Sequence, residues 1–161
     1  MDATESKSAL REELAALLAA DLERRERAYR AAREAATHEE AKPENDKDTR
    51  ALEQSYLARG EAGRVEEMRA GLAEVRGMVV RAFGDGDRAT LGALVTVDED
   101  GTESAYFLAP RGGGTRLANG AVQVVTPSSP LGRALVGKRA GDDVSVALAG
   151  KTRELTIVAV Q

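Results

Sequence analysis

The sequence predicts an α+β chain in which a long antiparallel helical hairpin precedes a small sheet domain. Three observations predict it. Residues 6–41 contain no Gly or Pro and are dominated by Ala, Glu, Arg and Leu, all good helix formers. A second stretch with helical spacing begins after AKPENDKD and runs to Val79. After FGDGDR the apolar period changes to two, the alternation of half-buried strands. The boundary is set at residue 80, giving a hairpin over 1–80 with its tip at 39–48 and a compact domain over 81–161.

In the first helix Leu10, Leu14, Leu17, Leu18 and Leu22 form a stripe that thins to Tyr29, Ala32 and Ala36. Pro43 disfavours an α conformation at Lys42 and ends the run. Asn45 or Asp46 is placed to cap the second helix. There Val65, Met68, Leu72, Val75 and Val79 alternate by three and four, a heptad seam. Gly60, Gly63, Gly71 and Gly77 weaken this helix but allow a partner helix to approach closely. Two segments of about 35 residues each span roughly 50 Å. Equal lengths across a short polar turn favour an antiparallel hairpin over a parallel dimer, because each narrow stripe needs a facing helix.

Five segments then read as strands rich in Val and Leu: LGALVTV, SAYFLA, AVQVVT, DVSVAL and RELTIVAV. DEDG at Asp98–Gly101 is a hairpin turn. Between the third and fourth strands Ser129 caps a short helix, Pro130 takes its first position, and Gly137 ends it. Gly112–Gly114 lacks the Lys-Ser/Thr of a phosphate loop and is taken as a flexible hairpin tip.

Composition narrows the function. With no cysteine, disulfides, thiolate metal sites and thiol nucleophiles are excluded. Only 3% of residues are aromatic, so the core must be Val, Leu and Ala, and nothing looks arranged to stack on bases. No run approaches the roughly 20 apolar residues of a membrane span, and the N-terminus lacks an apolar targeting region, so a cytoplasmic protein is expected. Residues 1–79 hold 18 acids and 14 Lys/Arg, while 80–161 hold nine of each. A free duplex binder normally shows a surplus of base over a whole face, so duplex binding is disfavoured.

SSPLGRALVGKRAGDDVSV followed by RELTIVAV resembles the C-terminal signature of the Gre family of transcript-cleavage factors and their homologues. Glu44-Asn45 at the hairpin turn resembles the acidic tip of that family's coiled coil, and the resemblance extends over effectively the whole chain. It implies an FKBP-like fold for the second domain, without isomerase activity. It also implies docking of that domain on the rim of the bacterial RNA polymerase secondary channel, with Gly137, Lys138 and Arg139 in the docking face. The coiled coil then enters the channel, where tip carboxylates help hold Mg²⁺ with the polymerase and a backtracked RNA is cut at its 3′ end. The chain would not itself be an enzyme, and a monomer is expected.

Candidate metal carboxylates are Glu40, Glu44 and Asp46, drawn from five acids in residues 39–48 against Lys42 and Lys47. Mg²⁺ needs only one or two protein carboxylates. A charged, solvated turn is the plain alternative. The cleavage factors carry an Asp three residues before the Glu of the Glu-Asn pair, and here that position is Ala41. Glu40, one residue earlier, is the candidate substitute. Arg27, Arg30 and Arg33 lie on one ridge and are candidates for contact with RNA or the channel wall, against a solvated face paired with Glu23, Glu26 and Glu34. His38 and Tyr56 lie near the tip; the first is read as incidental and the second as hairpin core. Two competing functions remain: a Gre homologue that fills the channel without cleavage, and a coiled-coil adaptor unrelated to transcription.

Overall fold

The computed structural model describes residues 3–40 and 48–161. Two helices come first, α1 (Ala3–Glu40) and α2 (Asp48–Gly77). Strands β1 (Leu94–Glu99), β2 (Thr102–Leu108), β3 (Arg116–Leu117) and β4 (Val122–Val125) follow, then α3 (Pro130–Leu135), β5 (Asp143–Leu148) and β6 (Lys151–Val160). The architecture is α+β as expected, and it divides into two compact units: residues 17–72, and residues 1–16 joined with 73–161.

In residues 17–72 the two helices run antiparallel. Arg25 pairs with Glu61 at 3.0 Å, while farther along α1 Ala36 and Thr37 share a cleft with Gln54 and Ser55 of α2, so position falls along one helix as it rises along the other. Among the described residues of this unit Leu22, Val65 and Leu72 are the buried apolar side chains. Where α1 thins to Tyr29, Ala32 and Ala36, a cleft of ≈ 570 Å³ opens against Ser55, Leu57 and Ala58, because alanine does not fill the space between two helices. Tyr56 is 64% exposed and does not line that cleft. The expectation that it packs in the hairpin is corrected: its place on the helical turn faces away from α1.

In the other unit the sheet order is β3-β4-β2-β1-β6-β5. All pairings are antiparallel except β2 with β4. The β1–β2 turn is the expected Asp-Gly hairpin. Glu99 faces Thr102, and the two loop residues Asp100 and Gly101 have φ of 53° and 83°. Positive φ at both positions is the turn that matches strand twist. β3, two residues against β4, is a sixth strand too short for a period to reveal. Gly112–Gly114 is not a hairpin tip. Thr115 N–H donates to Gly112 O (3.1 Å) and Gly114 N–H to Val124 O (2.8 Å), which draws the segment into the start of the β3–β4 pairing.

Both faces of this sheet are buried over much of their area. Val95, Val97, Tyr106, Leu108, Val125, Val144, Val146, Leu155 and Ile157 form one core with Leu131 and Leu135 of α3. α3 starts where expected: Ser129 Oγ accepts from Gly132 N–H (3.0 Å) and donates to Thr126 O (2.8 Å). A Cβ on Gly132 would lie 1.8 Å from Thr126 O, so no larger residue fits that approach. Alternation turns Phe107, Leu117, Val122 and Val124 to the opposite face, and they too are buried. The first turns of α1 cover them: the Glu13 carboxylate accepts from Ala118 N–H at 3.0 Å, and Leu14 lies against Gly112.

The link from α2 into the sheet belongs to the same unit. α2 ends at Gly77, Met78 N–H closes on Val75 O (3.2 Å), and Arg11 donates to Met78 O (3.1 Å). The helix therefore stops before Val79, which is 74% exposed, while Met78 is buried; the expected seam loses its last member for that reason. Lys7, fully buried, donates to Arg81 O (2.5 Å) and lies 4.5 Å from the centroid of the Phe83 ring. The Arg81 guanidinium sits 3.9 Å from that centroid and pairs with Asp87 (3.0 Å). A Gly84 N–H bond and then Arg81 hold the Asp87 carboxyl below its ordinary value.

Candidate functional site

Three groups of residues were expected to carry function. Of the tip acids, Glu44 and Asp46 lie outside the described residues, as do Ala41 and Pro43. Glu40 is the last residue of α1, with its side chain outside the described set. His38 lies exposed in the last turn of α1. Among the described residues no cluster of His, Cys, Asp or Glu has the grouping of a metal site. No described helix is long and apolar enough to cross a membrane.

The arginine run on α1 divides by partner. Arg24 pairs with Asp21, Arg25 with Glu61 across the hairpin, and Arg27 with Glu23 one turn back at 3.0 Å. Arg30 and Arg33 are exposed and have no carboxylate partner among the described residues. The Arg33 guanidinium lies 5.9 Å from the centroid of the Tyr29 ring. An exposed guanidinium without a carboxylate keeps its planar donor fork for a phosphate. Arg27 has its charge balanced locally, whereas Arg30 and Arg33 present theirs to solvent.

The third group follows α3. Gly137, with φ of 81°, turns the chain after the helix, and its N–H donates to Ala89 O (2.8 Å), while Lys138 O accepts from Ala89 N–H (2.8 Å). Arg139 N–H donates to Asp142 Oδ2 at 2.9 Å, and the Arg133 guanidinium to Ser128 O at 2.8 Å. One member of this surface was not foreseen. Arg88, from the segment before β1, donates to Gly137 O at 2.8 Å across 49 positions of sequence, and no local pattern marks that approach. A separate pair, Arg153 and Glu99 at 2.5 Å, ties β6 to β1. The Arg153 bond holds the Glu99 carboxyl below its ordinary value, and the Glu99 bond raises the Arg153 guanidinium. With each charge consumed by the other, this pair serves the sheet.

A family model described as "Transcription elongation factor, GreA/GreB, C-term" matches residues 84–161, which include the whole sheet and α3. The transcription elongation factor GreA of Alkalilimnicola ehrlichii is 32% identical over 154 residues, covering 94% of this chain and 90% of that protein. GreA of Psychromonas ingrahamii is 30% identical over 139 residues, covering 85% and 82%. Among solved structures, the transcription factor Gfh1 is 25% identical over 95% of this chain and 94% of its own, with a TM-score of 0.42. Gfh1 of Thermus thermophilus is 22% identical, covering 91% and 94%, with a TM-score of 0.41. Since the GreA similarity runs through the helices as well as the sheet, this chain belongs to the GreA/GreB family of transcription elongation factors.

Proposed function

We propose that this chain binds bacterial RNA polymerase, enters its secondary channel with the 39–48 tip, and stimulates the polymerase's own cleavage of backtracked RNA. The observation that carries the reading is the near end-to-end similarity to a GreA elongation factor. Five acids within residues 39–48 supply the charge the reading needs between the two helices. Carboxylates are the hard oxygen donors that Mg²⁺ takes, one or two at a time, with waters completing its shell. Glu40, Glu44 and Asp46 are the residues that would hold it, and a bound Mg²⁺ lowers the pKa of its water at neutral pH. Arg30 and Arg33 offer exposed guanidinium groups to RNA phosphates near the 3′ end; Arg27 contributes less, since Glu23 balances it. The chain acts in the cytoplasm as a monomer, and the polymerase performs the chemistry.

A second reading rests on one residue. Ala41 stands where the cleavage factors carry Asp, and without that carboxylate the factor occupies the channel and modulates transcription without cutting. A polymerase from the same organism, walked to a backtracked site and given the protein with Mg²⁺, separates the two. Short 3′ RNA fragments that disappear with Glu44→Ala support cleavage; tight polymerase binding without fragments supports occupancy. Failure to bind polymerase at all would sink both.

A further inference from the structure

The hairpin changes character along its length. Its buried apolar side chains, Leu22, Val65 and Leu72, all lie on the side of the Arg25–Glu61 pair away from the 39–48 segment. Beyond that pair, residues 27–38 of α1 and 50–60 of α2 bury no side chain among those described. No hydrogen bond or ion pair joins these two stretches among the described residues; the last to cross between the helices are Arg25 with Glu61 and Arg69 with Glu26. The ≈ 570 Å³ cleft over Ala32 and Ala36 opens in this part, and Leu52, Tyr56 and Leu57 stand 59%, 64% and 70% exposed on α2.

Two glycines mark the border. The sequence suggests that Gly60 and Gly63 let a partner helix approach closely, yet a Cβ on either would meet nothing within 4 Å. Both are exposed, whereas Gly71, nearer Leu72, is buried. Without a packing role, glycine in a helix interior only weakens it, because it has the most backbone freedom to lose. Asp48–Arg59, the stretch of α2 ahead of Gly60, is no longer than the roughly 12–15 residues below which an isolated helix is marginal in water. Helix propensity is therefore lowest where cross-helix burial also ends. We propose that Gly60 and Gly63 form a built-in break point in α2, across which the outer hairpin opens and re-forms independently of the inner hairpin, and that enclosure by a partner completes its order. Leu52, Tyr56 and Leu57 supply the driving force, since enclosure takes exposed apolar surface out of water. The identity of that partner rests on the polymerase-binding reading, whereas the break point belongs to the free chain.

Amide hydrogen exchange on the full chain tests this, because exchange through local opening reports the stability of each segment separately. Amides of residues 52–59 should exchange at least about tenfold faster than those of 68–75. G60A/G63A adds two methyl groups into open space and should slow exchange over 52–59 roughly tenfold, by helix propensity alone. Exchange over 68–75 and in β1 and β6 should stay within about twofold of wild type, as for independent sites. Equal protection along the whole of α2 in the wild type would overturn the break point, and so would a double variant whose exchange over 52–59 is unchanged. With purified RNA polymerase of the same organism added, protection gained over 52–59 should exceed that gained over 68–75. Measurable binding with no gain over 52–59 would overturn the claim that enclosure completes the order. Absence of binding would sink the polymerase reading, and the enclosure with it, while exchange in the free chain still decides the break point.

Discussion

In residues 17–72 the buried apolar side chains are Leu22, Val65 and Leu72, whereas the sheet unit buries Phe107, Leu117, Val124, Leu135, Leu155 and Ile157 almost completely among many others. The helical unit instead links its helices by ion pairs, Arg25 with Glu61 and Glu26 with Arg69, and relies on residues of high helix propensity. Fully burying one large apolar side chain contributes roughly 1.5–3 kcal/mol, while an exposed ion pair contributes roughly 0–1 kcal/mol. The difference teaches where stability resides. The sheet unit folds through its core, and the hairpin holds through helix propensity, a few buried apolar side chains and exposed ion pairs.

The comparison is broken most sharply by removing the sheet's largest buried apolar side chain. Phe107→Ala should cost about 3–5 kcal/mol, because Phe107 is fully buried on the face covered by the start of α1. Urea denaturation followed by the near-ultraviolet signal measures it. A loss below about 1 kcal/mol would mean that the second face of the sheet is not a packed core. Val65→Asp is the matching lesion in the hairpin, placing a carboxylate at one of its few buried positions at a cost of about 2–3 kcal/mol. Far-ultraviolet ellipticity should fall while the sheet retains its amide protection. Loss of both together would show that the two units unfold as one.

These two lesions also mark what was legible in the sequence. The absence of Gly and Pro over residues 6–41, the Asp-Gly turn and the Ser129-Pro130 cap are local signals, and each element they mark lies where expected. The parallel pairing of β2 with β4 and the two-residue β3 depend on contacts distant in sequence, and no period carries them. Val79 fits the heptad by spacing, yet the helix closes at Gly77 because Lys7 and Arg11 take the carbonyls of Arg81 and Met78. Spacing alone does not register a competing donor. Among candidate site residues, Lys138 and Arg139 are named by resemblance to the family's C-terminal signature, while Arg88 reaches Gly137 only through the fold, which no local pattern announces.

Lys7 sharpens the comparison at the junction of α1 with the link into the sheet. A buried ammonium is tolerated where acceptors and ring faces surround it, and here it donates to the Arg81 carbonyl beside Phe83. Lys7→Met keeps the stem and removes the donor, so about 1–2 kcal/mol should be lost. Amide exchange over residues 79–87 should quicken more than exchange in β1 or β6. Unchanged exchange in that segment would mean that Phe83 and the Arg81–Asp87 pair hold it without the ammonium.

The smallest effect concerns one chemistry used in both units. Arg25 with Glu61 and Arg153 with Glu99 are each an arginine bonded to a glutamate, roughly a third exposed, and a double-mutant cycle on Arg25 and Glu61 should give a coupling below about 1 kcal/mol that fades with salt. The sheet pair differs because strand backbones fix both side chains, and the Arg153 bond lowers the Glu99 carboxyl from 4.5. A carboxyl whose folded pKa is depressed stabilises the fold above its unfolded value, and that contribution is lost as pH falls through the lower folded value. The Glu99 carboxyl carbon, followed by NMR, should therefore titrate below 4.5 and return toward it in Arg153→Met. If Glu99 titrates alike in both proteins, the sheet holds its ion pair no more firmly than the hairpin does, and the contrast between the units narrows to their apolar cores.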